Sequence, residues 1–271
     1  MIVQPPEPGE RACVTTLAEH QRLAAQLAAS FGNAGFGQMT PRQEMLFAVA
    51  HHDSGWEDID RAPPGDPVSG LPCSLGQHPL PQLLAAAGRS VALNEARHPY
   101  CGLLVSMHQA GLYNGRYGLT SAQPAQSRSM LEQSRVDAFL AGEAARQERL
   151  RRMLRADPAW RNAVDDKALF GNYLRLQFFD RLALYLNLGR PGRLRPAVID
   201  RLPAANDDEL DINITPSDIN ITLDPYPFCD DIDVGYSGRS VAPEAGVADW
   251  PERLTAAPVE QRRFHLRRKI I

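Results

Sequence analysis

The hydrophobic period of the chain changes once, near Gly189, and this break constrains the fold more than any other feature of its 271 residues. Upstream of it, apolar residues recur at intervals of three and four, the period of helices that bury one face. Thr16 and Glu19 have capping-box spacing ahead of a helix that Gly32 and Asn33 can end. Thr40 as N-cap and Pro41 at the first helical position open a second helix reaching about Asp53. Helical patterns resume over about 79–97, 99–113, 129–155 and 165–188, while residues 54–78, rich in Gly, Pro and Asp, read as a long loop of the kind that is often functional. Downstream, Asp211-Ile-Asn-Ile-Thr215 and Asp218-Ile-Asn-Ile-Thr222 alternate strictly around Pro216-Ser217, the pattern of a β-hairpin. The expectation is a mainly α protein, with a helical bundle over 1–189 and a linker with a small β-rich region over 190–271 packed on it.

Composition narrows the function classes. Hydrophobic residues make up 44% and charged residues 23%, as in ordinary globular proteins, and the length allows a substantial core. A formal charge of −3 argues against nonspecific nucleic-acid binding, which needs a basic excess to displace counterions from phosphates. The one dense basic run, Arg262, Arg263, Arg267, Arg268 and Lys269, reads as a solvated tail or strand face. No basic-then-apolar leader opens the sequence, and no window approaches 18 uninterrupted apolar residues, so a cytoplasmic protein without membrane partners is expected. The four cysteines, Cys13, Cys73, Cys101 and Cys229, lack C-x-x-C spacing and suit reduced thiols. A homodimer is compatible with this composition.

Two positions stand out chemically. His52 shares a stripe with Met45 and Val49, so an imidazole is aimed inward at the end of the second helix, with Asp53 bordering the stripe. Asp180 interrupts Leu174-Arg-Leu-Gln-Phe-Phe179 and Leu182-Ala-Leu-Tyr-Leu186, where an uncompensated carboxylate is costly to bury. The plain alternatives are a hydrogen-bonded core histidine and an aspartate paired with Arg175 or Arg181.

His20 upstream, the adjacent His52 and Asp53, and Asp180 downstream together resemble the H…HD…D ligand set of the HD-domain superfamily of metal-dependent phosphohydrolases. The run Leu17-Ala-Glu-His20, the block His51-His-Asp-Ser-Gly-Trp56, the segment Leu103-Leu-Val-Ser-Met-His108 and the block Phe179-Asp-Arg-Leu-Ala-Leu184 are similar to an uncharacterised bacterial family, the domain of unknown function 3891. The resemblance implies an HD-like helical bundle with His20, His52, Asp53 and Asp180 around a divalent transition metal (Mn, Fe, Co or Zn), one or two ions, with His108 the best candidate for a further ligand. His78 and His98 lie in the same interval, but each precedes a proline and can simply sit at a helix start. Imidazole and carboxylate donors suit such metals, and an open coordination position would activate water.

Residues next to the ligand pair are placed to wall a pocket. His51 points about 100° away from His52 around the helix and is a candidate catalytic or supporting group. Glu57 and Asp58 are candidates to relay protons, and Trp56 to stack on a flat substrate group or to sit in the core. Arg61 and Arg116 are candidates to grip a phosphate, with exposed arginine as the alternative. The leading expectation is hydrolysis of a small phosphorylated substrate. An HD-type di-iron oxygenase and a non-catalytic metal- or ligand-binding helical protein are the competing readings. The sequence has no Gly-rich phosphate loop, G-x-S-x-G or H-E-x-x-H.

Overall fold

A computed structural model describes residues 1–271 except 5, 8, 116–128, 207, 245, 247, 248, 270 and 271. In chain order the elements are β1 (Ile2–Gln4), β2 (Ala12–Thr15), α1 (Leu17–Ser30), α2 (Arg42–His51), α3 (Glu57–Arg61), β3 (Gly65–Asp66), β4 (Leu71–Pro72), α4 (Leu80–Arg97), α5 (Pro99–Asn114), α6 (Met130–Ala156), α7 (Asp166–Leu188), β5 (Ala197–Pro203), β6 (Glu209–Ser217), β7 (Asn220–Asp224), β8 (Ile232–Val241), α8 (Trp250–Ala256) and β9 (Val259–Arg268).

The cap expected at the start of α1 forms, whereas the Thr40 cap expected for α2 does not. The Thr16 hydroxyl accepts from the Glu19 amide at the start of α1, and Ser129 and Glu132 cap α6 reciprocally. Helix α2 starts a residue later than expected, with Pro41 in the N-cap position and no side-chain cap. The expected loop 54–78 is a series of short elements: a 3-10 turn over Ser54–Trp56, α3, the β3–β4 ribbon and a second 3-10 turn over Leu75–Gln77. Asp60 on α3 accepts from the Leu17 amide, so part of this segment anchors the start of α1.

The expectation of a mainly α bundle with a small β appendage is overturned. About 52% of the described residues are helical, and the rest centre on a curled seven-stranded mixed sheet of order β1-β2-β8-β9-β7-β6-β5. The hairpin is real: β6 pairs antiparallel with β7, Ser217 facing Asn220, and Asp218 takes the left-handed turn conformation at φ 56°. It is one part of a larger structure, however. β7 also pairs in parallel with β9, β9 antiparallel with β8, and β8 with β2 from the N-terminal region.

Alternation explains the inner face of the sheet. Ile212 and Ile214 of β6, and Phe264 and Leu266 of β9, are buried, with more exposed residues between them. These side chains join Leu23 and Leu27 of α1 and Leu176, Phe179 and Leu182 of α7 in one hydrophobic cluster. The sheet therefore builds the main core together with α1 and α7. Burial on this scale, at about 25 cal/mol per Å² of apolar surface, is the main stabilising term. Among the described residues no helix is long and apolar enough to cross a membrane.

Candidate metal centre

Four helices bring imidazoles and carboxylates to one buried place. His20 lies one turn into α1, His52 ends α2 with Asp53 next to it, His108 is on α5 and Asp180 on α7. The three histidines and Asp180 are at most 4% exposed. Asp180 is the hub: Oδ1 lies 2.9 Å from His20 Nε2 and 3.6 Å from His52 Nε2, and Oδ2 lies 3.7 Å from His108 Nε2. His52 Nε2 is also 3.6 Å from Asp53 Oδ2. The donor atoms of His20, His52 and Asp53 lie within 4.8 Å of one another, as do those of His52, His108 and Asp180. Either group could hold a metal ion, because ligands about 2.0–2.2 Å from one ion lie roughly 3 Å or more apart. Arg181 pairs with Asp200, and Arg175 donates to Asn172, so Asp180 turns to histidines rather than to either arginine.

Neighbouring groups orient the imidazoles. His52 Nδ1 donates to the Val49 carbonyl at 2.7 Å, which directs Nε2 at the two carboxylates. Nε2 is buried without a hydrogen-bond partner. His20 Nδ1 meets Asn187 Oδ1 at 2.9 Å, leaving Nε2 for Asp180. Gln109 donates to the His52 carbonyl and to Asp53 Oδ1, both at 2.9 Å, and the Gln21 side-chain oxygen accepts from the Asp53 amide. Gln21, Gln109 and Asn187 were not singled out in the sequence, where a buried amide and a surface amide look alike; Asn187 lies two helical turns beyond Asp180, on the same face.

The electrostatics favour positive charge. Burial disfavours the His52 cation, but the Asp53 and Asp180 carboxylates outweigh it and raise the group to about 9. Burial would raise Asp180, yet the hydrogen bond from His20 and the charge of the nearby His52 and His108 imidazoles hold it well below the usual carboxylate range. At His108 burial dominates, and the imidazole falls to about 4 despite Asp180. Burial and the neighbouring His52 also lower His51. The described residues thus fit a divalent cation by donor type, spacing and potential.

The other expected site residues go elsewhere. Glu57 and Asp58 pair with Arg61 at the surface, at 2.8 and 3.1 Å. Trp56 is buried with Ile2, Leu17 and Ala86, and its ring meets His78 at 5.3 Å. The His51 ring lies on Phe47 and His98 caps α5, so neither His78 nor His98 joins the cluster. Arg116 lies outside the described residues.

No curated protein and no solved structure matches the chain. Residues 1–242 match the model of the family described as Protein of unknown function (DUF3891), and the chain belongs to that family.

Proposed function

We propose that the protein is a metal-dependent hydrolase of small phosphoesters, with an HD-type centre formed by His20, His52, Asp53 and Asp180 and completed by His108. The observation that carries this reading is the buried His52 Nε2, which lacks a hydrogen-bond partner and sits 3.6 Å from each of two carboxylates. A buried imidazole nitrogen without a partner is costly, and a divalent cation between these groups would satisfy it in place of a proton. Imidazole and carboxylate donors favour manganese, iron, cobalt or zinc over calcium or magnesium.

A bound divalent ion would supply the acidity that water needs near neutral pH and would polarise a phosphoryl oxygen. The chain's own residues do the rest. Val49 and Asn187 fix the imidazole tautomers, and the packed faces of α1, α5 and α7 exclude bulk water. Asp53, whose side chain is 14% exposed, marks the side open to a substrate.

Elemental analysis of protein purified without chelators or a polyhistidine tag tests the centre. The expected result is one divalent ion per chain, lost in His52→Ala, together with hydrolysis of p-nitrophenyl phosphate that a chelator abolishes and manganese or cobalt restores. Absence of bound ion overturns the proposal. Two irons per chain with oxygen consumption would replace hydrolysis by oxidation, and one bound ion without turnover would leave a non-catalytic centre.

A further inference from the structure

Of the gathered side chains, Asp53 is the one that packing does not lock. His20, His52, His108 and Asp180 are enclosed by helices, whereas Asp53 lies just past the end of α2, at φ −116° and ψ 20°, and is partly exposed. A carboxylate there can turn to water by rotation about its side-chain bonds. Two groups oppose that rotation. Gln21 holds the Asp53 amide at 3.1 Å, and Gln109, 2% exposed, holds Asp53 Oδ1 at 2.9 Å. The same Gln109 nitrogen donates to the His52 carbonyl at 2.9 Å. Both partners are acceptors, which sets the orientation of the amide and uses both of its N–H donors on two consecutive residues.

From this arrangement we infer that Gln109 is a positioning residue that makes Asp53 a one-oxygen ligand, occupying Oδ1 so that only Oδ2 is turned toward His52 Nε2. The inference rests on the metal-centre reading above. It differs from a purely structural role, in which Gln109 would only satisfy the carbonyl of His52, the residue that caps the end of α2.

Cobalt(II) titration of the chelator-treated full chain, followed by visible absorption, separates these roles. Gln109→Met keeps the length and removes the donors. The expected result is a dissociation constant about 10–100-fold weaker, with a shifted absorption band, because Asp53 is no longer held to one oxygen. In an Asp53→Ala background the same substitution is expected to cause no further loss, since Gln109 acts through Asp53. Unchanged affinity and spectrum in Gln109→Met overturn the inference, and so does an equal loss in both backgrounds. If Gln109→Met does not fold, Gln109→Leu, which likewise removes the donors and adds no charge, carries the same comparison. Failure of the wild-type chain to bind cobalt sinks the metal centre itself, whereas wild-type binding with an indifferent Gln109 sinks this inference alone.

Discussion

Gly55 has no room for a side chain. A Cβ there would lie 1.9 Å from the Ala86 carbonyl oxygen and 2.7 Å from the Ser90 nitrogen, both backbone atoms of α4. The glycine amide donates to the Ser90 hydroxyl at 2.9 Å, and its carbonyl accepts from Arg89. The turn that follows Asp53 is thus pressed directly against a helix, which gives the glycine of the His-Asp-Ser-Gly-Trp block a steric reason. Gly55→Ala is expected to cost about 1–3 kcal/mol, the range for overpacking a well-packed site. Thermal unfolding checks this, and a variant that melts with the wild type would show that α4 gives way freely. On the proposed metal-centre reading, the same displacement should reduce divalent-ion binding by that variant, since Asp53 is only two residues away.

Helix α4 is tied to α6 by charge. Glu95 accepts from Arg146 at 2.8 Å and from Arg149 at 2.7 Å. Burial opposes ionisation, but the two arginines prevail and lower the Glu95 carboxyl from its ordinary 4.5. A depressed folded-state value places the stabilising contribution above the unfolded value of 4.5, and it is lost as pH falls through the lower folded value. Glu95→Gln is therefore expected to flatten the fall in melting temperature below about pH 4.5, with an effect under about 1 kcal/mol because the pair is partly exposed. Melting curves from pH 3 to 7 test the sign: a variant that loses stability as steeply as the wild type in that window would remove Glu95 as a source. Helix caps belong to this scale too. Thr16, Ser129 and Asp165 each accept an amide of the following turn, and that of Thr16 was readable from its spacing to Glu19.

In the whole molecule the sheet and the site are mechanically joined. Gln4 on β1 donates to the carbonyls of Asn187 and Gly189, and Tyr236 on β8 donates to that of Leu186, so the sheet grips the end of α7 where Asn187 orients His20. β9 lies between β8 and β7, and its Phe264 and Leu266 are fully buried. An appendage could be removed without unfolding the bundle, but an interior strand cannot. A chain ending at residue 256 is expected to lose several kcal/mol and to fail to fold cooperatively, since two large core side chains and two strand pairings go with β9. Circular dichroism and thermal unfolding of that truncation decide the point, and a native-like melt would return the sheet to the status of an accessory.

Much was legible in the amino-acid order because it is local. Helix periods, caps and the 211–222 hairpin depend on residues within a few positions of one another, as does the inward aim of His52 and the anomaly of a carboxylate at Asp180. The extent of the sheet was hidden because β1, β2, β8 and β9 are joined across long separations, as in the pairing of Cys13 with Ser240. Short strands carry little alternation, and no local pattern records such a partner. The site divides in the same way. Residue type and helical phase singled out His52 and Asp180, and the family resemblance supplied His20, Asp53 and His108, but adjacency to the His-Asp pair suggested Glu57, Asp58 and Arg61, which the turn of α3 sends to the surface. Only the tertiary structure could bring Gln109 and Asn187 to the histidine–aspartate cluster, because a side-chain amide acquires meaning from the partner it meets, and those partners come from other helices.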